Sequence, residues 1–136
     1  MRSIVRSVLP LALFAAAFAA CGKSEPRLSL QMVMYQIDFE EKAMREAAFG
    51  GDLAGVVRSG GEIQRWMGDP AFERYLARPN LPGEPAAFAE LKAYFAGTLD
   101  EVLGMARSGD RDGVRGAYGR MRMACDVCHR DFRPGL

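Results

Sequence analysis

The sequence predicts an all-α protein folded as an antiparallel four-helix bundle, which we assign to residues 28–136. Four stretches place apolar residues three and four positions apart, the period of one face of a helix, and none alternates convincingly as a strand does. The connections are mostly short, which favours antiparallel neighbours. The chain has 136 residues, of which 49% are hydrophobic. This composition suits one compact domain with a single core.

The first two helices are predicted mainly from their ends. The first helix covers about residues 28–49 and stops at Gly50-Gly51, since glycine accepts the left-handed conformation of a helix C-cap. Asp52 is a good N-cap for the second helix. The pair Gly60-Gly61 is expected to kink or split the second helix, because glycine is a poor helix former. The apolar stripes are Leu30, Val33, Met34, Ile37, Met44 and Ala48 in the first helix, and Leu53, Val56, Val57, Ile63 and Met67 in the second.

The longest connection joins the second and third helices. Four prolines between residues 68 and 85 predict an irregular path. We expect three apolar residues to pin this segment to the bundle: Phe72, Tyr75 and Leu76. The third helix is predicted over about residues 86–107 and ends at Ser108-Gly109.

The fourth helix carries its apolar residues at alternating steps of four and three. Asp110 or Asp112 is expected to cap its start. The inward-facing positions are Val114, Tyr118, Met121, Cys125, Cys128 and Phe132. Such steps form a heptad-like seam, so both cysteines are predicted to face the interior of the protein.

The fourth helix ends in Cys125-Asp126-Val127-Cys128-His129, which is the attachment pattern of a c-type haem. In such a site the cysteines form thioethers with the haem and the histidine binds its iron. Residues three and four apart share one face of a helix, so all three side chains can reach one haem. The sequence therefore predicts a single covalent haem c on the C-terminal helix.

Three other uses of the cysteine pair are less well supported. A disulfide between Cys125 and Cys128 would close a very short loop and remove little chain entropy. A thioredoxin-like redox pair would stand at the start of a helix after a strand. A structural zinc site needs four ligands, and the chain has no second cluster of cysteine and histidine.

Residues 1–20 are predicted to be an export signal. Arg2 and Arg6 precede an apolar run from residue 8 to residue 20, and this run is short for a bilayer span. The alternative is a retained N-terminal anchor helix. Export would place the mature protein in the bacterial periplasm or at the cell surface.

The end of this signal resembles the lipobox of bacterial lipoproteins, in which small residues precede a cysteine. The resemblance implies that Cys21 becomes the first mature residue and carries a lipid, which would be the protein's one contact with the membrane. The alternative is ordinary cleavage after Ala19, because Ala17 and Ala19 also fit a signal-peptidase site. Residues 21–27 are predicted to be a short tether.

Composition argues against several function classes. Lys and Arg number 18 against 17 Asp and Glu, a net charge of +1, which gives no electrostatic case for nucleic acid. His129 is the only histidine, so its use at iron leaves no serine–histidine pair for catalysis. We therefore expect a protein that is not an enzyme. Asp38, Glu40 and Glu41 are interpreted as a solvated helix face.

A four-helix bundle with its only CxxCH on the final helix resembles the cytochrome c′ family. Family members continue the motif with two residues, an aromatic residue and an arginine, here Phe132 and Arg133. The resemblance covers the fold pattern of the whole mature chain, and its specific part is the C-terminal motif. It implies that His129 is an axial ligand and that Arg133 lies near the same face of the haem.

The segment SLQMVMYQ resembles the family's first-helix pattern of arginine-glutamine-x-x-methionine, with Gln31 and Met34 at the matching places. Leu30 stands where the family often has arginine. The resemblance implies that Gln31 contacts the haem pocket and that Met34 lies over the distal face. Met34 is our candidate for a second axial ligand. In the alternative, it packs there without bonding to iron.

These alternatives correspond to different functions. Iron bound by histidine and methionine would transfer electrons between periplasmic or membrane redox proteins, whereas an open distal face would bind nitric oxide or carbon monoxide. A third interpretation is a structural or assembly lipoprotein stabilised by its haem. The resemblance also implies a homodimer formed through the first two helices, to which Leu30, Val33 and Ile37 could contribute if they are not core residues.

Overall fold

The computed structural model describes residues 28–132. The predicted signal, the tether with Cys21, and Arg133 lie outside the described residues. Five helices are present: α1 (Leu30–Gly50), α2 (Leu53–Met67), α3 (Ala71–Leu76), α4 (Pro85–Ser108) and α5 (Arg111–Phe132). The four long helices form the predicted bundle, and α3 is a short helix within the long connection. This part of the chain contains no strand.

The helix ends follow the predicted capping chemistry. The side chains of Asp52 and Asp110 each accept a backbone N–H from the first turn of their helices, which satisfies donors that the helix itself leaves unpaired. Of the two candidate caps for α5, Asp110 is therefore the one used. Gly51 and Gly109 end α1 and α4 with φ angles of 78° and 83°, the left-handed conformation in which glycine is favoured.

The bundle is built from two extensively packed helix pairs. α1 packs mainly on α2, and α4 mainly on α5, while smaller α2–α4 and α1–α5 contacts close the ring. The α5 seam faces the core as predicted, since Val114, Tyr118, Met121 and Phe132 are buried. Among the described helices, none is long and apolar enough to span a membrane.

The expected break at Gly60-Gly61 does not occur, because α2 is one continuous helix. Gly60 faces α4, and a Cβ atom built there would lie 2.5 Å from Leu103 Cδ2. The residue is therefore glycine because α2 approaches α4 closely, and packing against α4 outweighs the poor helix propensity of glycine.

Burial corrects one expectation about α1 and decides between two alternatives for other residues of this helix. Glu41 is not on a solvated face, since only 6% of it is exposed, and it accepts a hydrogen bond from the Tyr118 hydroxyl. Val33 and Ile37 belong to the core of the single chain, so they cannot also form an interface. The exposed apolar residues of α1 are instead Met32, Tyr35, Phe39 and Phe49.

Candidate haem-binding site

One cavity of about 730 Å³ collects the predicted site residues that the structure describes. It lies at the end of the bundle where α1 begins and α5 ends, and α3 and the first turns of α4 also line it. Cys125, Cys128 and His129 reach it from α5, and Met34 and Gln31 reach it from α1. These five residues therefore line one cavity, although Gln31 and His129 are nearly one hundred positions apart in the sequence.

The two cysteines are half-buried and pack against the core. Burial raises the pKa of the Cys125 thiol to about 11 and also raises the pKa of Cys128. Reactive redox cysteines have a lowered pKa, so this environment disfavours a thioredoxin-like pair. His129 lies at the exposed rim of the cavity. Within residues 28–132, no group of three or more metal-binding side chains is placed to hold a metal ion directly.

The position of Met34 follows from how α1 and α5 are aligned. The hydrogen bond between Tyr118 and Glu41 places these two residues at the same level of the two helices. Because the helices are antiparallel, a step of seven residues from Glu41 toward the start of α1 reaches the same level as a step of seven residues from Tyr118 toward the end of α5. Met34 is therefore level with Cys125 and is half-buried beside the same cavity. Gln31, one turn nearer the rim, is exposed.

An aromatic cluster closes the side of the cavity formed by α3, α4 and the end of α5. The rings of Phe88 and Phe132 meet edge to face, with centroids 5.2 Å apart, and the ring of Tyr75 lies 5.5 Å from that of Phe88. The Tyr75 hydroxyl also donates to the Phe132 carbonyl at 3.0 Å. Phe72 and Tyr75 thus pin the long connection to the bundle, as predicted.

Three basic side chains that the sequence analysis did not identify as site residues also line the cavity: Arg78, Lys92 and Arg122. Arg78 lies over the Tyr75 ring, and Lys92 lies 4.5 Å from the centre of the Phe72 ring. Neither Arg78 nor Lys92 forms an ion pair within residues 28–132. The third cation, Arg122, is 3.3 Å from Asp126. No pattern marks these residues, because each looks like an ordinary surface charge in its own segment.

The chemistry of this cavity fits a covalently bound haem. Its volume lies in the range of about 300–1,000 Å³ that is usual for cofactor sites. Cys125 and Cys128 would form the thioethers, and His129 would bind the iron. Arg78 and Lys92 line the cavity without forming an ion pair in the part of the chain that the structure describes, and two such cations suit a group that carries two carboxylates of its own. A haem bound here would supply one-electron redox chemistry or a site for a gas, while the protein orients it and tunes its iron.

The fold and the site define a class of protein: a four-helix bundle that carries a c-type haem motif on its last helix. A family model for cytochrome c′ matches residues 15–133. This match covers most of the chain, so the chain belongs to the cytochrome c′ family. It is therefore a c-type cytochrome of a family that binds haem c covalently and is typically periplasmic.

A solved structure supports the fold independently. The crystal structure of cytochrome c′ from Rubrivivax gelatinosus aligns with a TM-score of 0.59 and 20% sequence identity. The alignment covers 75% of this chain and 89% of that one. No curated protein matches the chain.

Proposed function

We propose that this chain is a periplasmic electron carrier with one haem c, whose iron is bound by His129 and Met34. The observation that carries the proposal is that both side chains line one cavity from different helices, α5 and α1. His129 is the only histidine, so a second histidine ligand from the same chain is excluded. A methionine sulfur is a soft ligand that suits haem iron and raises its reduction potential.

Each part of the site has a separate task in this proposal. α5 would hold the haem through Cys125, Cys128 and His129, whereas α1 would supply Met34 as the second ligand to the iron. The walls are largely apolar and aromatic, and an apolar surround limits the change in solvation when the charge at the iron changes. The position of His129 at the exposed rim brings the site close to the surface, where a redox partner can dock.

The same proposal sets the location and partners of the chain. After export, a lipid on Cys21 anchors it to the membrane, and it exchanges electrons with periplasmic or membrane redox proteins. It carries electrons and does not itself catalyse a reaction on a substrate.

The test is the optical absorption spectrum of the haem-loaded protein, ferric and ferrous, with and without carbon monoxide. We expect a low-spin spectrum that resists carbon monoxide, and a high-spin spectrum in Met34→Ala. Met32→Ala is the matched control, because Met32 is 47% exposed on the same helix and does not line the cavity. It should leave the spectrum unchanged.

Two results would overturn the proposal in different ways. A high-spin wild-type spectrum with ready binding of carbon monoxide would exclude the Met34 bond and indicate a cytochrome c′ that binds gases. A protein without covalent haem after maturation would exclude both functions.

A further inference from the structure

A buried polar contact joins α1 to α5 below the cavity. The Tyr118 hydroxyl donates to Oε1 of Glu41, and the two residues are 5% and 6% exposed. Burial, followed by the hydrogen bond to Glu41, raises the pKa of Tyr118 well above its usual value, so the hydroxyl keeps its proton and remains a donor. A second hydrogen bond between these helices, from Arg115 to the Phe49 carbonyl, is exposed and weaker at 3.4 Å.

This contact stands two helical turns from the site on both helices. Glu41 follows Met34 by seven residues, and Tyr118 precedes Cys125 by seven, which is about 10 Å along each helix axis. One turn nearer the site, Asp38 and Arg122 already line the cavity. The contact therefore lies directly beneath the floor of the cavity.

The hydrogen bond between Glu41 and Tyr118 is important for the position of α1 relative to α5. The α1–α5 packing is much less extensive than the α1–α2 or the α4–α5 packing. Comparatively few residue pairs therefore define the spacing between these two helices, among them an edge-to-face contact of the Tyr118 ring with Phe49. An apolar contact tolerates sliding, whereas a hydrogen bond forms only within a narrow range of distance and angle. A buried polar group that loses its partner is also strongly disfavoured. The Glu41–Tyr118 contact therefore selects one spacing and one register.

We propose that Glu41 and Tyr118 are positioning residues for the distal face of the haem: their hydrogen bond sets the spacing and register of α1 against α5. Through α1 it determines how closely Met34 approaches the face opposite His129. The inference rests on the proposed function to the extent that a haem lies between these two helices. It does not require that Met34 bonds to iron, since a packed Met34 would control access to the distal face in the same way.

The experiment compares three variants of the haem-loaded protein. Glu41→Leu combined with Tyr118→Phe removes the hydrogen bond and leaves no buried polar group without a partner. Glu41→Gln removes the charge but keeps an oxygen that can accept from Tyr118. Val102→Ala creates a cavity at a fully buried position in α4, so it lowers stability without touching the α1–α5 contact.

We expect the double variant to keep its covalent haem, to shift toward a high-spin ferric spectrum, and to change its affinity for carbon monoxide by about tenfold. That factor corresponds to the loss of one ordinary hydrogen bond. Glu41→Gln and Val102→Ala should both resemble the wild type in spectrum and affinity. Urea unfolding, measured alongside, shows whether Val102→Ala matches the double variant in stability.

The inference is overturned if the double variant has the spectrum and carbon monoxide affinity of the wild type. It is also overturned if Val102→Ala, at the same stability as the double variant, changes the spectrum and the carbon monoxide affinity as much as the double variant does. Its failure is distinct from that of the proposed function, which the wild type and Met34→Ala test by themselves. If the wild type is high-spin, the Met34 bond is excluded, and the tenfold change in carbon monoxide affinity alone decides the inference.

Discussion

Two adjacent glycines in α2 occupy different surroundings, and this difference gives a prediction whose magnitude can be worked out. A Cβ atom at Gly60 would lie 2.5 Å from Leu103 Cδ2 and 3.2 Å from its Cγ, whereas a Cβ at Gly61 would meet nothing within 4 Å. Leu103 is fully buried in α4, so its side chain has little room to move aside. Alanine should therefore be tolerated at Gly61 and resisted at Gly60.

Both alanine variants gain helix propensity, but only Gly60→Ala also introduces a methyl group into a packed core. Replacing glycine by alanine within a helix stabilises the fold by about 1 kcal/mol. Forcing an extra methyl into a well-packed core costs about 1–3 kcal/mol. Gly61→Ala should thus raise the free energy of unfolding by about 1 kcal/mol. Gly60→Ala should range from nearly neutral to about 2 kcal/mol destabilising, which places the variants about 1–3 kcal/mol apart.

The assay is urea unfolding of the haem-loaded protein, followed by far-ultraviolet circular dichroism and compared at equal m-values. A double-mutant cycle with Leu103→Ala adds a control, because the smaller side chain removes the colliding atoms and should relieve the penalty at Gly60. Equal stabilisation by both alanine variants would refute the close α2–α4 contact, as would a Gly60 penalty that persists in the Leu103→Ala background.

Two further predictions concern the loop before α4 and the surface of α1. Gly83 and Gly109 both have positive φ angles, of 88° and 83°. A Cβ atom at Gly83 would lie 2.8 Å from the Phe132 ring, whereas a Cβ at Gly109 would meet nothing within 4 Å. Gly83→Ala should therefore destabilise the protein by about 1–3 kcal/mol more than Gly109→Ala in the same unfolding assay. We also expect a homodimer formed through the exposed apolar face of α1, where Phe39 is 61% exposed. Phe39→Glu should then yield a monomer by light scattering, while the control Met123→Glu, at an exposed position on α5, leaves the dimer intact; equal behaviour of the two variants would exclude this interface.

Much of the fold could be predicted because helix ends and helix faces depend on local sequence. Asp52 and Asp110 cap their helices through contacts three residues away, and a good cap is visible in the sequence alone. The alternating steps along the last helix likewise identified its buried face, including the side on which Cys125 and Cys128 lie. Both features need no knowledge of the neighbouring helices.

What could not be predicted depends on which residues meet across helices. Glu41 looks like a surface residue in its own helix, and only its partner Tyr118, which is 77 positions away, explains its burial. The same holds for Gly60, whose role depends on Leu103. Arg78 enters the cavity from an irregular connection, where neither periodicity nor a motif indicates a direction. Lys92 shares a face of α4 with Phe88 and Phe95, but the sequence does not show that this face borders a cavity. Periodicity shows which face of a helix is inward, but not what lies opposite it.

The proposed attachment of the haem would allow the two sides of the site to vary independently. Thioethers to Cys125 and Cys128 would hold the haem on α5 whatever the strength of its axial bonds, so α1 would not be needed to retain it. α1 can therefore differ from the common family pattern, as it does at Leu30, without loss of the haem. It follows that substitutions at Cys125 or Cys128 should abolish attachment, whereas substitutions at Met34 or Glu41 should change the spectrum and ligand affinity of a haem that stays bound. A variant of α1 that lost the haem would contradict this division.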